Sequence, residues 1–221
     1  MKIIKLTPSQ HKEGRWLVWL ESGELLRVSQ NEVADFGLYQ DLDLDADTLA
    51  RLESAAETSA MKHRALDALS ARPMSRAELV NKLTAKPRRK SKNFDPRPEA
   101  DDETTHSRAE AVADRLEELG LLNDESYAVQ VARHYAAKGY GPHKVKDELF
   151  RRGVPREYWD TALDALDDPA PILDTLLEKK LRGKEDDRAE LKRAADSLAR
   201  RGFCWEDISA ALARRGEYPE D

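Results

Sequence analysis

Two hydrophobic rhythms divide the chain. Residues 1–40 carry their apolar residues mostly in short blocks of strand length; from Leu49, outside 84–106, they recur every three or four positions, as on a helix with one buried face. In the first region Ile3-Ile4, Arg15–Leu20 and Glu24–Val28 read as strands, with a hairpin turn at Glu21-Ser22-Gly23-Glu24. The middle strand is apolar on both faces, Trp16 and Val18 on one and Leu17 and Trp19 on the other. It therefore needs cover on both sides, which favours core packing over a recognition role for the tryptophans. Ser29 and Glu32 have the spacing of a capping box for a short helix ending at Gly37. Asp41, Asp43, Asp45 and Asp47 alternate as in a calcium loop. Such a loop needs glycine at its sixth position and glutamate at its twelfth, where Ala46 and Leu52 stand, so the aspartates are assigned to the N-terminus of the next helix. That helix carries Leu49, Leu52 and Ala56 and resumes through Met61, Ala65, Leu66 and Leu69 to Pro73, either unbroken or interrupted near Thr58 and Ser59.

From Asn123 the pattern becomes a trio of short amphipathic helices. Asn123 and Asp124 cap the first, and Gly139 lies just past its end. Gly141 caps the second, with Pro142 in the first position, where a missing N–H costs nothing. Gly153 ends the second and Val154 packs back onto it; Pro155 opens the third, through Trp159 and Ala162 to Leu166.

The trio recurs. Arg200-Arg201-Gly202-Phe203 repeats Arg151-Arg152-Gly153-Val154, about 50 residues on, within the periods of helical repeats. Beyond each glycine, Trp159, Ala162 and Leu163 match Ile208, Ala211 and Leu212. Upstream, Met74–Leu83 matches Tyr140–Leu149, including a capping box at Ser75 and Glu78, and a third helix ending at Gly120 sets Val112 and Leu116 at the positions of Trp159 and Leu163. The expected fold is mainly α: a tandem array of three three-helix, helix-turn-helix-like repeats with a small N-terminal β-hairpin element. The expected division is a β-rich element at 1–45, first repeat at 46–122, second at 123–167, third at 168–216 and an acidic tail at 217–221. A mobile insertion at 84–106 interrupts the first repeat, with Lys86, Arg88, Arg89, Lys90 and Lys92 followed by Glu99, Asp101, Asp102 and Glu103. Its basic half either meets phosphates or an acidic surface, or is neutralised by its acidic half.

Composition narrows the chemistry. Charged residues make up 36% of the chain and glycine only ten positions, which suits a helix-rich soluble protein. The net charge of −6 argues against DNA binding driven by overall charge, leaving only local basic patches. The single cysteine, Cys204, excludes an internal disulfide and fits a reducing compartment; with no membrane-length apolar run and no signal-like N-terminal core, the cytoplasm is the expected location. His11, His63, His106, His134 and His143 have no paired ligand spacing, and no phosphate-binding glycine loop occurs. No catalytic, cofactor or metal constellation is present in the sequence.

What recurs is positive charge at each second helix: Arg76 and Lys82; Lys144, Lys146, Arg151 and Arg152; Lys192, Arg193, Arg200 and Arg201. If the repeats stack in one direction, these residues form a stripe suited to carboxylate or phosphate groups. The competing explanation is that the arginine pairs only complement the negative ends of their helices. Tyr127, Tyr135 and Trp159, at helical spacing, are assigned to the core.

The run GYGPHKVKDELFRRGV (139–154), preceded by LEELGLLNDESYA, resembles the central repeat of RecX regulatory proteins, modulators of the RecA recombinase. IIKLTPSQHKEGRWLVWLESGELLRVSQNEVADFGL at the start and LARRGFCWEDI in the third repeat resemble that family's N-terminal segment and C-terminal helix junction. The resemblance implies a curved modular array, a monomer, that docks along the groove of a RecA–single-stranded-DNA filament. It implies inhibition of ATP hydrolysis, strand exchange and co-protease activity without a cofactor, and contact with single-stranded DNA through local basic patches. On the family's central motif, Gly141 and Gly153 become structural and Lys144, Arg151 and Arg152 contact candidates, with Arg200, Arg201 and Gly202 as their third-repeat counterparts. Two alternatives stand beside it: a helix-turn-helix transcription factor reading duplex DNA through Gly141–Leu166, and a generic helical scaffold.

Overall fold

The strands and helices expected from the sequence appear in the computed structural model, which describes residues 1–85, 102–182 and 187–216. Most of the basic–acidic insertion and the acidic tail, together with Gly183, lie outside the described residues. The fold is mainly α, with three helical trios and one small sheet. The chain divides into two compact units, Met1–Arg72 with Leu79–Leu119, and Pro73–Glu78 with Gly120–Asp221.

In the first unit β1 (Ile3–Pro8), β2 (Arg15–Leu20) and β3 (Leu25–Ser29) form an antiparallel sheet in the order β1-β2-β3. Val18 and Leu20 on one face of β2 are fully buried with Ile3, Val28 and Leu52, and Trp16 packs against them. On the opposite face Trp19 is half-buried beneath the Lys5 ammonium, 5.2 Å from its ring. Neither tryptophan is an exposed recognition ring. α1 (Gln30–Asp35) is held by the capping box of Ser29 and Glu32, and the Glu32 carboxylate also accepts the Ser59 hydroxyl.

α2 (Ala46–Ala71) opens on Asp45, which accepts the Thr48 N–H at 2.7 Å. It runs unbroken through Thr58 and Ser59. The Thr58 hydroxyl shares the Ser54 carbonyl at 2.9 Å as a second donor and that of Ser59 is taken by Glu32, so neither breaks the ladder. α3 (Arg76–Thr84) and α4 (Asp102–Glu118) complete the first trio. Residues 102–106, assigned by the sequence to the insertion, are helical and form the start of α4. Arg108 joins Glu57 at 2.6 Å, tying α4 to α2.

The second unit holds two trios. α5 (Asp124–Ala137), α6 (Pro142–Arg151) and α7 (Trp159–Asp164) surround Tyr127, Val131, Val145, Leu149 and Ala162. α8 (Ala170–Leu181), α9 (Arg188–Arg200) and α10 (Trp205–Arg214) surround Leu173, Leu177, Leu198, Ile208 and Leu212. The third helix of the second trio starts later than Pro155 predicts. Pro155 has ψ 140°, an extended conformation, so a one-turn 3-10 helix (Arg156–Tyr158) intervenes before α7. Trp159 closes this corner by donating Nε1–H to the Val154 carbonyl at 3.0 Å.

Candidate functional site

Of the basic residues singled out in the sequence, Arg76, Arg151, Arg152, Arg200 and Arg201 lie at the ends of α3, α6 and α9, where the segment Pro73–Glu78 and the second and third trios adjoin, whereas Lys146, Lys192 and Arg193 lie within their helices. α6 ends in Arg151, Arg152 and then Gly153 at φ 66°; α9 ends in Arg200, Arg201 and then Gly202 at φ 88°. Such left-handed residues terminate helices and suit glycine. A Cβ at Gly153 would stand 2.6 Å from the Ala77 methyl, and one at Gly202 would overlap the Lys144 backbone nitrogen. Each glycine therefore also admits the first turn of the preceding trio's second helix.

The same acceptor serves both junctions. At one, the Ser75 hydroxyl donates to the carbonyl of Arg152. At the other, the Gly141 backbone N–H donates to the carbonyl of Arg201 at 2.9 Å and the His143 N–H donates to that of Gly202 at 3.0 Å. Gly141 has an ordinary φ of −84°, so close approach rather than backbone conformation demands glycine there. The start of α3 thus abuts the end of α6, and the start of α6 abuts the end of α9.

Around α6 the positive charge is organised by a buried carboxylate. Glu148, 4% exposed, accepts from Arg151 Nη2 at 2.6 Å and lies 3.7 Å from Lys144 Nζ and 3.8 Å from Arg152 Nε. Burial alone would raise its pKa, but hydrogen bonds from Arg151 and Tyr135 and the charges of Arg151 and Lys144 hold it below the usual range. Arg152 also donates to the Tyr127 hydroxyl at 2.8 Å, and that hydroxyl donates to Glu78 at 2.7 Å. Burial, then the bond to Glu78, raises the Tyr127 pKa, so the phenol stays protonated. Beside this network Asp124 accepts the Arg76 N–H at 2.7 Å.

The candidate residues have different surroundings. Arg151 keeps 69% of its side chain exposed, Lys146 is half-buried, and Lys192, Arg193 and Arg200 are exposed on α9, with Arg193 bonded to Glu190 at 2.8 Å. Arg76 is half-buried at the start of α3; Lys82, exposed in its last turn, belongs to the first unit. Arg152 and Arg201 are turned into the junctions. Sequence reasoning missed Glu148 and Tyr127 as organisers, since one reads as a solvated helix charge and the other as core. It also missed Phe150, 68% exposed beside Arg151, because an aromatic next to Leu149 reads as a continued apolar face.

Three-helix trios joined by a recurring glycine junction define a helical-repeat protein. Models of two RecX domains match the chain: the second three-helix domain over residues 123–163 and the third three-helix domain over 172–212. The Regulatory protein RecX of Pseudomonas entomophila (strain L48) is 32% identical over 162 residues, covering 72% of this chain and 94% of that protein. That of Geobacillus kaustophilus (strain HTA426) is 32% identical over 221 residues, covering 96% of this chain and 76% of its own. Among solved structures, a regulatory protein RecX superposes with a TM-score of 0.70 at 21% identity, covering 96% of this chain and 98% of that one. RecX from Lactobacillus salivarius superposes with a TM-score of 0.59 at 23% identity, covering 72% and 97%. The chain belongs to the RecX family of regulatory proteins.

Proposed function

We propose that this chain regulates a RecA recombinase by binding along the RecA–single-stranded-DNA filament and suppressing its ATPase, strand-exchange and co-protease activities. The reading rests chiefly on one observation: the basic ends of α3, α6 and α9 follow one another through like junctions, which favours one multi-site surface over a pocket. Many modest contacts on linked trios add up to tight binding without any catalytic step. The partner contacts fall among Arg76, Lys82, Lys144, Lys146, Arg151, Arg152, Lys192, Arg193, Arg200 and Arg201, and local patches of these touch DNA phosphates within the filament. The protein acts as a monomer in the cytoplasm; among the described residues no helix is long and apolar enough to cross a membrane.

The duplex-reading alternative is disfavoured by α7. The segment from Arg156 to Asp164 sets three carboxylates, Glu157, Asp160 and Asp164, against one cation, Arg156, whose guanidinium lies 5.7 Å from the centre of the Trp159 ring. Co-sedimentation with preformed RecA filaments, alongside an ATP-hydrolysis assay, tests the proposal. Binding to the filament with a fall in ATP turnover is expected; binding to duplex DNA alone, with turnover unchanged, removes it.

A further inference from the structure

The two members of each arginine pair occupy opposite environments. Successive residues on a helix are rotated by about 100°, so the side chains of an adjacent pair leave the helix in different directions, even though both members on α6 reach back to Glu148. Arg151 and Arg200 are exposed. Arg152 retains 24% of its side-chain exposure and lies among Glu78, Tyr127 and Glu148. Arg201 is half-buried. Its Nη1 donates to the Gly139 carbonyl at 3.0 Å and lies 3.4 Å from that of Lys138, while its guanidinium sits 5.6 Å from the centre of the Tyr140 ring. Those carbonyls lie at the open C-terminal end of α5, beyond its own hydrogen-bond ladder. Arg201 therefore complements the negative end of a helix in the preceding trio, not that of its own. The backbone carbonyls of Arg152 and Arg201 are also the groups on which the preceding segment docks. One residue per junction ties its trio to the preceding segment through main chain and side chain at once.

We infer that Arg152 and Arg201 are positioning residues that set the register of each trio on the preceding segment, and that Arg151 and Arg200 are the members left to meet a partner. The second half of this inference rests on the filament-binding reading; the first does not. A lysine at 201 can reach one carbonyl, but it cannot lay a planar fork against Tyr140 while donating. Lysine therefore retains part of the side chain's hold on the register, and alanine keeps only the main-chain bonds.

The test uses the full chain with Cys204→Ser, since serine is a good helix N-cap. Nitroxide labels are placed on E125C in the second trio and K180C in the third, both exposed positions. Pulsed EPR distance distributions are compared for the labelled parent, R201A, R201K and R200E, and each is assayed for inhibition of ATP turnover by RecA filaments. R200E should keep the parent's single narrow distance peak and lose inhibition. R201A should lose the narrow peak and inhibition together, and R201K should recover both in part. A narrow peak in R201A overturns the positioning role. If R201A loses helicity, R201K decides, and a distribution identical to the parent's overturns it equally. A broad distribution in R201A with full inhibition by R200E leaves the register role standing and discards the contact assigned to Arg200.

Discussion

Gly141→Ala isolates the junction between the second and third trios, because the backbone there suits alanine. At φ −84° and ψ 173° the substitution brings no conformational strain; at an open site it would stabilise by about 0.4–1 kcal/mol, by restricting the unfolded chain. In this protein the added methyl would overlap the Gly202 carbonyl and the Phe203 nitrogen, roughly 1 Å inside ordinary contact. Neither group is a flexible side-chain end, so the trios must separate. Separation stretches the Gly141–Arg201 and His143–Gly202 hydrogen bonds, worth about 1 kcal/mol each. Overpacking of this kind costs about 1–3 kcal/mol by itself. After the unfolded-state gain, the net loss is about 2–4 kcal/mol, opposite in sign to an unconstrained glycine. Urea unfolding should show an earlier midpoint for the third trio, and amide exchange should accelerate at His143 while Val131 in the α5 core stays protected. A midpoint equal to or later than the parent's, with His143 still protected, would refute the close-approach argument.

Other perturbations separate the remaining contributions. Ser75→Ala removes the hydroxyl that meets the Arg152 carbonyl and also caps α3 by accepting the Glu78 N–H at 3.0 Å; a loss of about 1–3 kcal/mol is expected from the two together, and no change in the urea midpoint would show both to be idle. Gly202→Ala meets both a left-handed backbone and the Lys144 main chain, so its loss should exceed that of Gly141→Ala in the same unfolding experiment. Glu148 has a folded-state pKa held low, so its contribution is present above the unfolded value of about 4.3 and drains away as the pH falls through the folded one. Glu148→Gln should flatten that acid-side decline in a melting-temperature series; an unchanged slope would assign the decline elsewhere. Asp124, pushed up chiefly by burial, works in the other direction and recovers stability on protonation, so Asp124→Asn should steepen the decline. Trp159→Phe deletes the bond to the Val154 carbonyl and should cost about 1–2 kcal/mol, read from urea unfolding.

The recurring trios were visible from the sequence because their signals are local. Capping residues at Ser29, Asp45, Ser75 and Asn123, left-handed glycines and apolar spacing each depend on neighbours a few positions away. The division of labour at α6 and α9 was not. Whether an arginine at a helix end meets solvent or another trio depends on contacts such as Arg201 with Gly139, 62 residues apart, which no periodicity encodes. The sequence reading therefore set Arg151 beside Arg152 as equivalent, and treated helix-end neutralisation as internal to each helix. Pro155 misled for a local reason: proline fixes φ but leaves ψ free, so it marks a place where a helix is permitted and not one where it must begin.

The two junctions receive like carbonyls through different donors, a serine hydroxyl at Ser75 and a bare main-chain amide at Gly141. The first leaves a side chain's thickness between the segments, and the second leaves none. One interior residue per seam therefore fixes how closely the adjoining segments approach. A change at either position acts on the interior of the chain and leaves every outward-facing residue as it was.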